Sequence, residues 1–497
     1  MLKTSLNALP WIARMGADRR APVLTAFVLS LVLSVIAVAG SDDLNRDGML
    51  YVDAARAFLE GGLESARTRF DWLFLPGLIA GLAAVTGLDP ELAGYALCAV
   101  LLAATSALLV LHSEKAFGGT AWAACLVVLA IPAFNGYREY IIREYGFWCF
   151  TVWSAWLAMR WVEKPAWSAA VSGQVALCIA AAFRVEALVF IPVIIAWQLH
   201  ASRGGQLRSR LAMLLALPLA ALVLGASAYG FGMFDLKGRL AFYLGLIQES
   251  VLFATGVGEL AHSVLPDLSR DDAGIILFFG LVAVVAVKFF KMLGLFLIPL
   301  LFALRGPGVW SRVQPLSALF VAYLAVLGVF VTGMLFVTSR YVSFLNLLAV
   351  PVVAHGLMQM MRRWPGLKLL FVLLAVVVML SNVVSLSPKK HQYAQAGAWL
   401  KHNVQESSRV YVEGRRVRYH AGLDLEAAPL PPEHAVVEPH RSKFDLFVIE
   451  VDGDKDAAVL NAWLLERSLD PIARFSGPGG DVLILVPQLR KPGSPGT

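Results

Sequence analysis

Residues 21–40, APVLTAFVLSLVLSVIAVAG, run directly into residues 41–62, SDDLNRDGMLYVDAARAFLEGG, and the reading of that junction decides the rest of the chain. The first stretch carries no charge and is long enough to cross a hydrocarbon core of about 30 Å as a helix, whereas a cleaved signal core is about 7–15 residues. Lys3, Arg14, Arg19 and Arg20 precede it, so its basic end stays inside and the charged stretch emerges outside. Asp42, Asp43, Arg46 and Asp47 therefore fall within a few residues of a membrane boundary. A short helix is expected after them, Met49 to Leu59, on which Leu50, Ala54, Ala57 and Phe58 recur at helical spacing.

Composition agrees with a membrane reading. Of 497 residues 58% are hydrophobic and 15% charged, well below the charged share of about 25% in soluble proteins. The net charge of +7 does not point to nucleic acid, because the Lys and Arg lie in short clusters between apolar segments, as in loops that hold topology. The cysteines, Cys98, Cys125, Cys149 and Cys178, sit inside apolar stretches without paired spacing and read as small core residues.

The most basic loops, residues 203–210, 305–312 and 362–368, are expected on the inner face. Counting from them places residues 137–145, 184–186, 232–272 and 339–341, and everything after about 388, on the outer face. The segment 70–87, broken by Pro76 and Gly77, then re-enters or lies at the interface, giving about eleven spans. Residues 274–304 are too long for one span and carry Lys288 and Lys291 midway, which leaves a count of up to about thirteen. The expected class is thus an all-α polytopic membrane protein of about 11–13 transmembrane helices with a small C-terminal soluble α/β domain. The membrane domain takes residues 1–388, with outer loops 41–71 and 232–272. The α/β domain takes 389–497, where helix-like HQYAQAGAWLKHN and DAAVLNAWLLERSL alternate with strand-like RVYV, DLFVIEV and GDVLILVP.

Charges at span ends need partners or a wet cavity, since an unpaired one near hydrocarbon costs several kcal/mol. Arg138, Glu139, Arg143 and Glu144 come as REYIIREY, Arg184 and Glu186 interrupt AAAFRVEALVF, and Arg340 and Tyr341 follow FVTS. All fall on the side of Asp42, Asp43 and Asp47. Taken singly, each set has an ordinary explanation, an interfacial helix or pairs that fix packing; their convergence is the argument for a site. An arginine fork beside a tyrosine suits a phosphate or diphosphate. A carboxylate opposite suits proton removal from an acceptor hydroxyl. Together these parts suit transfer of a group from a lipid-linked phosphate donor to an alcohol.

In these residues the chain resembles the GT-C superfamily of polytopic glycosyltransferases that use polyprenyl-phosphate sugars, in particular bacterial protein mannosyltransferases and the aminoarabinose transferase of lipid A. RDGMLYVDAARAFLEGG looks like the family's first outer loop and FDWLFLPGLIAG like the segment that follows. REYIIREYGFW stands where members often carry a charged second outer loop, FRVEALVFIPV is similar to a frequent Arg-x-Glu before an apolar helix, and SRYVSFLNLLAVP looks like the late Arg-Tyr segment associated with the donor phosphate. The resemblance implies Asp47 as catalytic base and transfer with inversion. Members often have two adjacent acids there; Gly48 follows Asp47 here, which leaves Asp42 and Asp43 as further candidates for base or metal ligand. A single Pro76 replaces the Pro-Pro of the nearest relatives, so neither named subfamily is assigned.

The expected function is a glycosyltransferase moving a sugar from a polyprenyl-phosphate donor to a hydroxyl of a lipid, glycan or protein at the outer face of a bacterial inner membrane. Asp47 is the base; Arg340, Tyr341 and Arg184 hold the donor phosphate; Arg138, Arg143, Glu144 and Glu186 line the site. A divalent cation on Asp42, Asp43 and Asp47 is an open alternative to three solvated carboxylates. A transporter or flippase of an anionic lipid or sugar needs the same charges but calls for related halves, and none is visible. An assembly subunit docking through YVEGRRVRY, residues 411–419, is the third reading.

Overall fold

The computed structural model describes residues 20–41, 43–202, 207–230, 245, 251–384, 388–405, 407–425, 430–451 and 457–487. The chain divides into two compact units, one of residues 1–39 with 95–385 and the other of residues 40–94 with 386–497. The first outer loop thus belongs to the same unit as the C-terminal residues.

The first unit is a helical bundle, and the chain is an integral membrane protein. Among the described residues six helices are long and apolar enough to cross a membrane, with six shorter apolar helices of 10–17 residues besides. Its centre is the helix Ser339–Arg363, which is buried on nearly every side from Val342 to Gly356. A helix apolar all round belongs in a core, and this one packs against Leu316–Met334, Ala273–Leu293, Leu297–Ala303 and Ala121–Ala130. Within the overlong stretch 274–304 one helix is long and apolar enough to cross a membrane. The helix Ala273–Leu293 has 21 residues, enough for about 31 Å, and the chain then bends at Gly294. Leu297–Ala303, only seven residues, continues along the central helix, with Pro299 and Ala303 against Gly356. Lys288 finds a partner inside the bundle, donating to the Val337 carbonyl at 2.7 Å. Of the cysteines, Cys98, Cys125 and Cys149 are buried as expected, while Cys178 is exposed.

The expected outer loop 232–272 is helical from Val251 on: Val251–Glu259 is an α-helix and short turns cover Leu260–Val264 and Asp267–Asp272. Its apolar, small-residue run VLFATGVG sustains a helix within the stretch that counting from the basic loops leaves as an outer loop. Residues 232–244 and 246–250 of that loop lie outside the described residues.

In the second unit the helix Arg46–Arg69 starts at Asn45, kinks at Gly62, and buries Met49, Tyr51, Val52, Ala54, Ala55 and Ala57. It packs on Phe74–Thr86, whose 13 residues rise about 20 Å, short of a crossing of about 30 Å. The C-terminal sheet has strands β1 (Val410–Val412), β2 (Leu446–Val451), β3 (Leu469–Gly477) and β4 (Gly480–Pro487) in the order β1-β2-β4-β3. The β1–β2 pair is parallel and the other two are antiparallel. Along β2, Phe447, Ile449 and Val451 enter one core with Leu464, while Leu446 and Val448 enter another with Ala396 and Leu400. Helices therefore cover both faces, which is why this strand reads as a continuous apolar run. β3 is not apparent in the sequence: Pro471 interrupts it beside a register shift, a position tolerated because β3 is the sheet edge.

Candidate functional site

Four charged side chains that are far apart in sequence meet in the first unit. Glu144 opens the helix Glu144–Glu163, where a carboxylate is favoured by the helix N-terminus. Arg184 follows the last turn of Trp167–Phe183 in extended conformation, its N–H still bonded to the Ala180 carbonyl at 2.8 Å. Glu186 lies in the short 3-10 turn after it, and Arg340 in the first turn of the central helix. The Arg184 guanidinium donates to Glu144 at 2.8 Å and to Glu186 at 2.6 Å, and Arg340 meets Glu144 at 3.0 Å. Tyr341 lies under both cations, its ring 4.5 Å from the Arg184 guanidinium carbon and 5.7 Å from that of Arg340. Tyr323 donates to the Tyr341 carbonyl at 3.1 Å.

The cluster rests on an aromatic floor whose members come from the same helices. Phe147 is three residues past Glu144 and Phe344 four past Arg340, so each of these rings lies on its charge's own helix face, while Phe190 opens the α-helix that follows the turn of Glu186. Phe344 packs 4.7 Å from Phe147, 4.9 Å from Tyr323 and 5.9 Å from Phe190. This excludes water and strengthens the ion pairs above. The two helices close because of Gly146: a Cβ there would stand 2.3 Å from the Phe183 ring. Exposure grades the cations. The Arg184 side chain is 7% exposed and doubly held, whereas that of Arg340 is 20% exposed.

Arg138 is not part of this cluster. It is buried and among the described residues bonds to neutral groups, Asn135 Oδ1 at 2.8 Å, the Ser30 carbonyl at 2.7 Å and the Ser34 hydroxyl at 2.8 Å, which ties the first span to the bundle. Arg143 is half-buried next to Glu144 and acts electrostatically on Glu186.

Asp47 and Asp43 belong to the second unit. Asp47 is half-buried in the first turn of Arg46–Arg69, where an acid also favours the helix itself. Asp43, a candidate second acid, is held by Arg416 at 3.1 Å and His420 at 3.0 Å and its side chain is 9% exposed. Asp42 lies outside the described residues. Among the described residues no group of three or more metal-ligating side chains occurs.

In the stretch 411–419, expected as a docking patch, Tyr411 and Val412 end β1 and residues from Arg415 on form a helix, Arg415–Ala421, stopped by Gly422 in the left-handed region. Arg416, Tyr419 and His420 share one face of it at positions i, i+3 and i+4, a pattern visible in RRVRYHAG once Gly422 is read as a helix stop. That face serves the chain itself. Tyr419 donates to Glu91 at 2.5 Å, and Arg56 lies 5.2 Å from its ring. Burial and the Glu91 carboxylate hold the Tyr419 hydroxyl well above its ordinary range, so it remains a donor. Nearby, Arg69 pairs with Asp424 and more distantly with Asp53, and burial raises the Asp53 carboxyl despite Arg69. Removing both partners of Asp43, with Arg416→Ala and His420→Ala, strands a buried carboxylate at a cost of about 1–3 kcal/mol. The expected readout is faster proteolysis of the C-terminal residues in the intact protein; an unchanged digestion rate would mean the pairing carries no weight.

No protein-family model matches the chain, and no curated protein matches its sequence. Among solved structures, arabinofuranosyltransferase AftD from Mycobacteria aligns with 94% of this chain at a TM-score of 0.52 and 15% identity. The chain shares its fold with AftD. AftD is the longer protein, and the match spans 41% of it. ArnT from Cupriavidus metallidurans also aligns in the apo state, with a TM-score of 0.42, 14% identity, 93% of this chain and 97% of that one. For ArnT bound to undecaprenyl phosphate the values are 0.41, 13%, 96% and 98%. Within this fold, the Glu144–Arg184–Glu186–Arg340 cluster is the densest buried set of charges among the described residues.

Proposed function

We infer that this chain is a membrane glycosyltransferase that moves a sugar from a polyprenyl-phosphate donor to an acceptor hydroxyl on a lipid, glycan or protein. The reaction is assigned to the outer face of a bacterial inner membrane. The observation that carries the reading is the buried two-arginine, two-glutamate cluster over Tyr341, in a chain that shares its fold with AftD.

In this reading Asp47 takes the acceptor proton, the acceptor oxygen attacks the anomeric carbon, and the bond from that carbon to the phosphate oxygen breaks. The phosphate leaves with the electron pair, passing from a singly charged diester to a monoester of higher charge. Cations that meet this developing charge lower the barrier, because they bind the transition state better than the ground state. Arg340, the more open cation, is assigned the contact with the donor phosphate, and Tyr341 lies beneath it. Arg184, closed in by Glu144 and Glu186, is assigned the task of holding Glu144 and Tyr341 in place. The inverting outcome follows from single displacement.

Incubating the purified protein with a labelled polyprenyl-phosphate sugar and an acceptor extract tests the reading. Release of polyprenyl phosphate with label on the acceptor is expected. Passage of intact donor across a vesicle without release would support a transporter instead. Arg340→Lys keeps the charge and loses the planar fork, so donor use is expected to fall by about tenfold or more. An unchanged dependence on donor concentration removes Arg340 from the phosphate.

A further inference from the structure

The helix Glu144–Glu163 carries the charged cluster at one end and a second polar region at the other, about 28 Å away by its rise. The central helix runs between the same two ends, from Arg340 to Arg362 and Arg363. At this second end lie the basic loops 305–312 and 362–368, the marks of the inner membrane face.

Two adjoining cavities open there. The outer one, about 400 Å³, is lined by Trp156, Arg160, Glu163 and Lys164, and the inner one, about 160 Å³, by His112, Arg312, Gln314 and Pro351. Lys115 and Met159 line both. Lys115, Arg160, Lys164 and Arg312 face a single lining carboxylate, Glu163, which Lys115 already pairs. Arg160, Lys164 and Arg312 have no carboxylate partner among the described residues. Arg312 is positioned instead over the Phe117 ring at 5.2 Å, and Phe117 is stacked on His355 at 4.0 Å. Deeper in, the Gln314 side-chain oxygen is buried and accepts no hydrogen bond among the described residues, and His112 spends its Nε2 on the Val152 carbonyl at 3.1 Å.

The surplus of cations calls for an anion, and the stranded Gln314 oxygen calls for a donor such as a hydroxyl. Trp156 and Met159 in the outer wall suit an occupant that continues into the bilayer, as tryptophan does at headgroup depth. We propose that this cavity binds the headgroup of an anionic phospholipid whose phosphate bears a polyol, as in phosphatidylglycerol. The phosphate sits among Arg160, Lys164 and Arg312, a headgroup hydroxyl donates to Gln314, and the acyl chains leave past Trp156. Basic pockets between membrane helices on the inner face bind anionic headgroups by this combination of charge and cavity. The site lies at the opposite end of the bundle from Arg340 and does not depend on the transferase reading.

Native mass spectrometry of the intact protein with phosphatidylglycerol, phosphatidylcholine, phosphatidic acid or glycerol phosphate tests this. Phosphatidylglycerol is expected to be retained over phosphatidylcholine, and Arg160→Gln with Arg312→Gln to weaken it by about thirtyfold, the loss of two cations at a membrane surface. Gln314→Leu is expected to keep phosphate binding but erase the preference for phosphatidylglycerol over phosphatidic acid. Equal retention of phosphatidylcholine, or an equal loss in the control Arg363→Gln, would reduce the effect to diffuse surface charge and overturn the proposal. Glycerol phosphate binding as tightly as the lipid would overturn it in favour of a soluble anion. Should the double variant fail to fold, Lys164→Gln and the four-ligand comparison on the unaltered protein decide.

Discussion

Replacing Asp47 by Asn is expected to slow sugar transfer by about 100- to 10,000-fold, the range lost when a positioned base is removed. The same change should cost little stability. A carboxylate in a first helical turn contributes only about 0.3–1 kcal/mol to its helix, and Asn keeps the shape. Single-turnover transfer measured beside a melting curve therefore separates the two roles: a large kinetic defect at an almost unchanged melting temperature marks a base, whereas a defect that tracks unfolding marks a helix stabiliser. Wild-type transfer by the Asn variant would end the assignment. Asp43→Asn in the same assay has a different expectation, because that carboxylate is held by Arg416 and His420. Its loss should appear first as loosening of the C-terminal residues.

Arg184→Leu should give the largest stability effect. It leaves Glu186 without its guanidinium and Glu144 with Arg340 alone, in surroundings where their side chains are 10% and 5% exposed. Breaking a buried ion pair by removing one member costs about 3–5 kcal/mol, mostly the penalty of the charge left behind. In detergent this corresponds to a fall in apparent melting temperature on the order of 5–10 °C. The companion Arg184→Leu with Glu186→Leu should recover part of that loss, since removing both charges together is close to neutral. If the single variant melts like the parent, the cluster is hydrated and the closed site described above does not exist.

How much of this was legible beforehand depends on the kind of signal. Ionisable residues inside apolar runs announce themselves, which is why Glu144, Arg184, Glu186 and Arg340 all stand out by residue type and position. Which of them pair was not legible. Arg184 and Glu144 are 40 residues apart and meet only because their helices pack, a contact that periodicity does not encode. Arg138 shows the converse: equally conspicuous, it turned out to hold serines of the first span. The C-terminal helices and three of its four strands followed from period and turn residues, while β3 was hidden by Pro471 and the helix Arg415–Ala421 by its shortness. The partners of Asp43 were likewise out of reach, since His420 is 377 residues away in the chain.

Gly146 has an effect out of proportion to its size. A survey that swaps only charged residues for neutral ones would pass over it, while a systematic alanine survey would flag it as sharply as any acid, because one methyl group would wedge Phe183 aside and carry Arg184 away from Glu144. Such a hit would look chemical in an activity screen and is steric in origin. Variants of this enzyme candidate should therefore be sorted by whether donor affinity and folding fail together, and Gly146 is the position at which that sorting matters most.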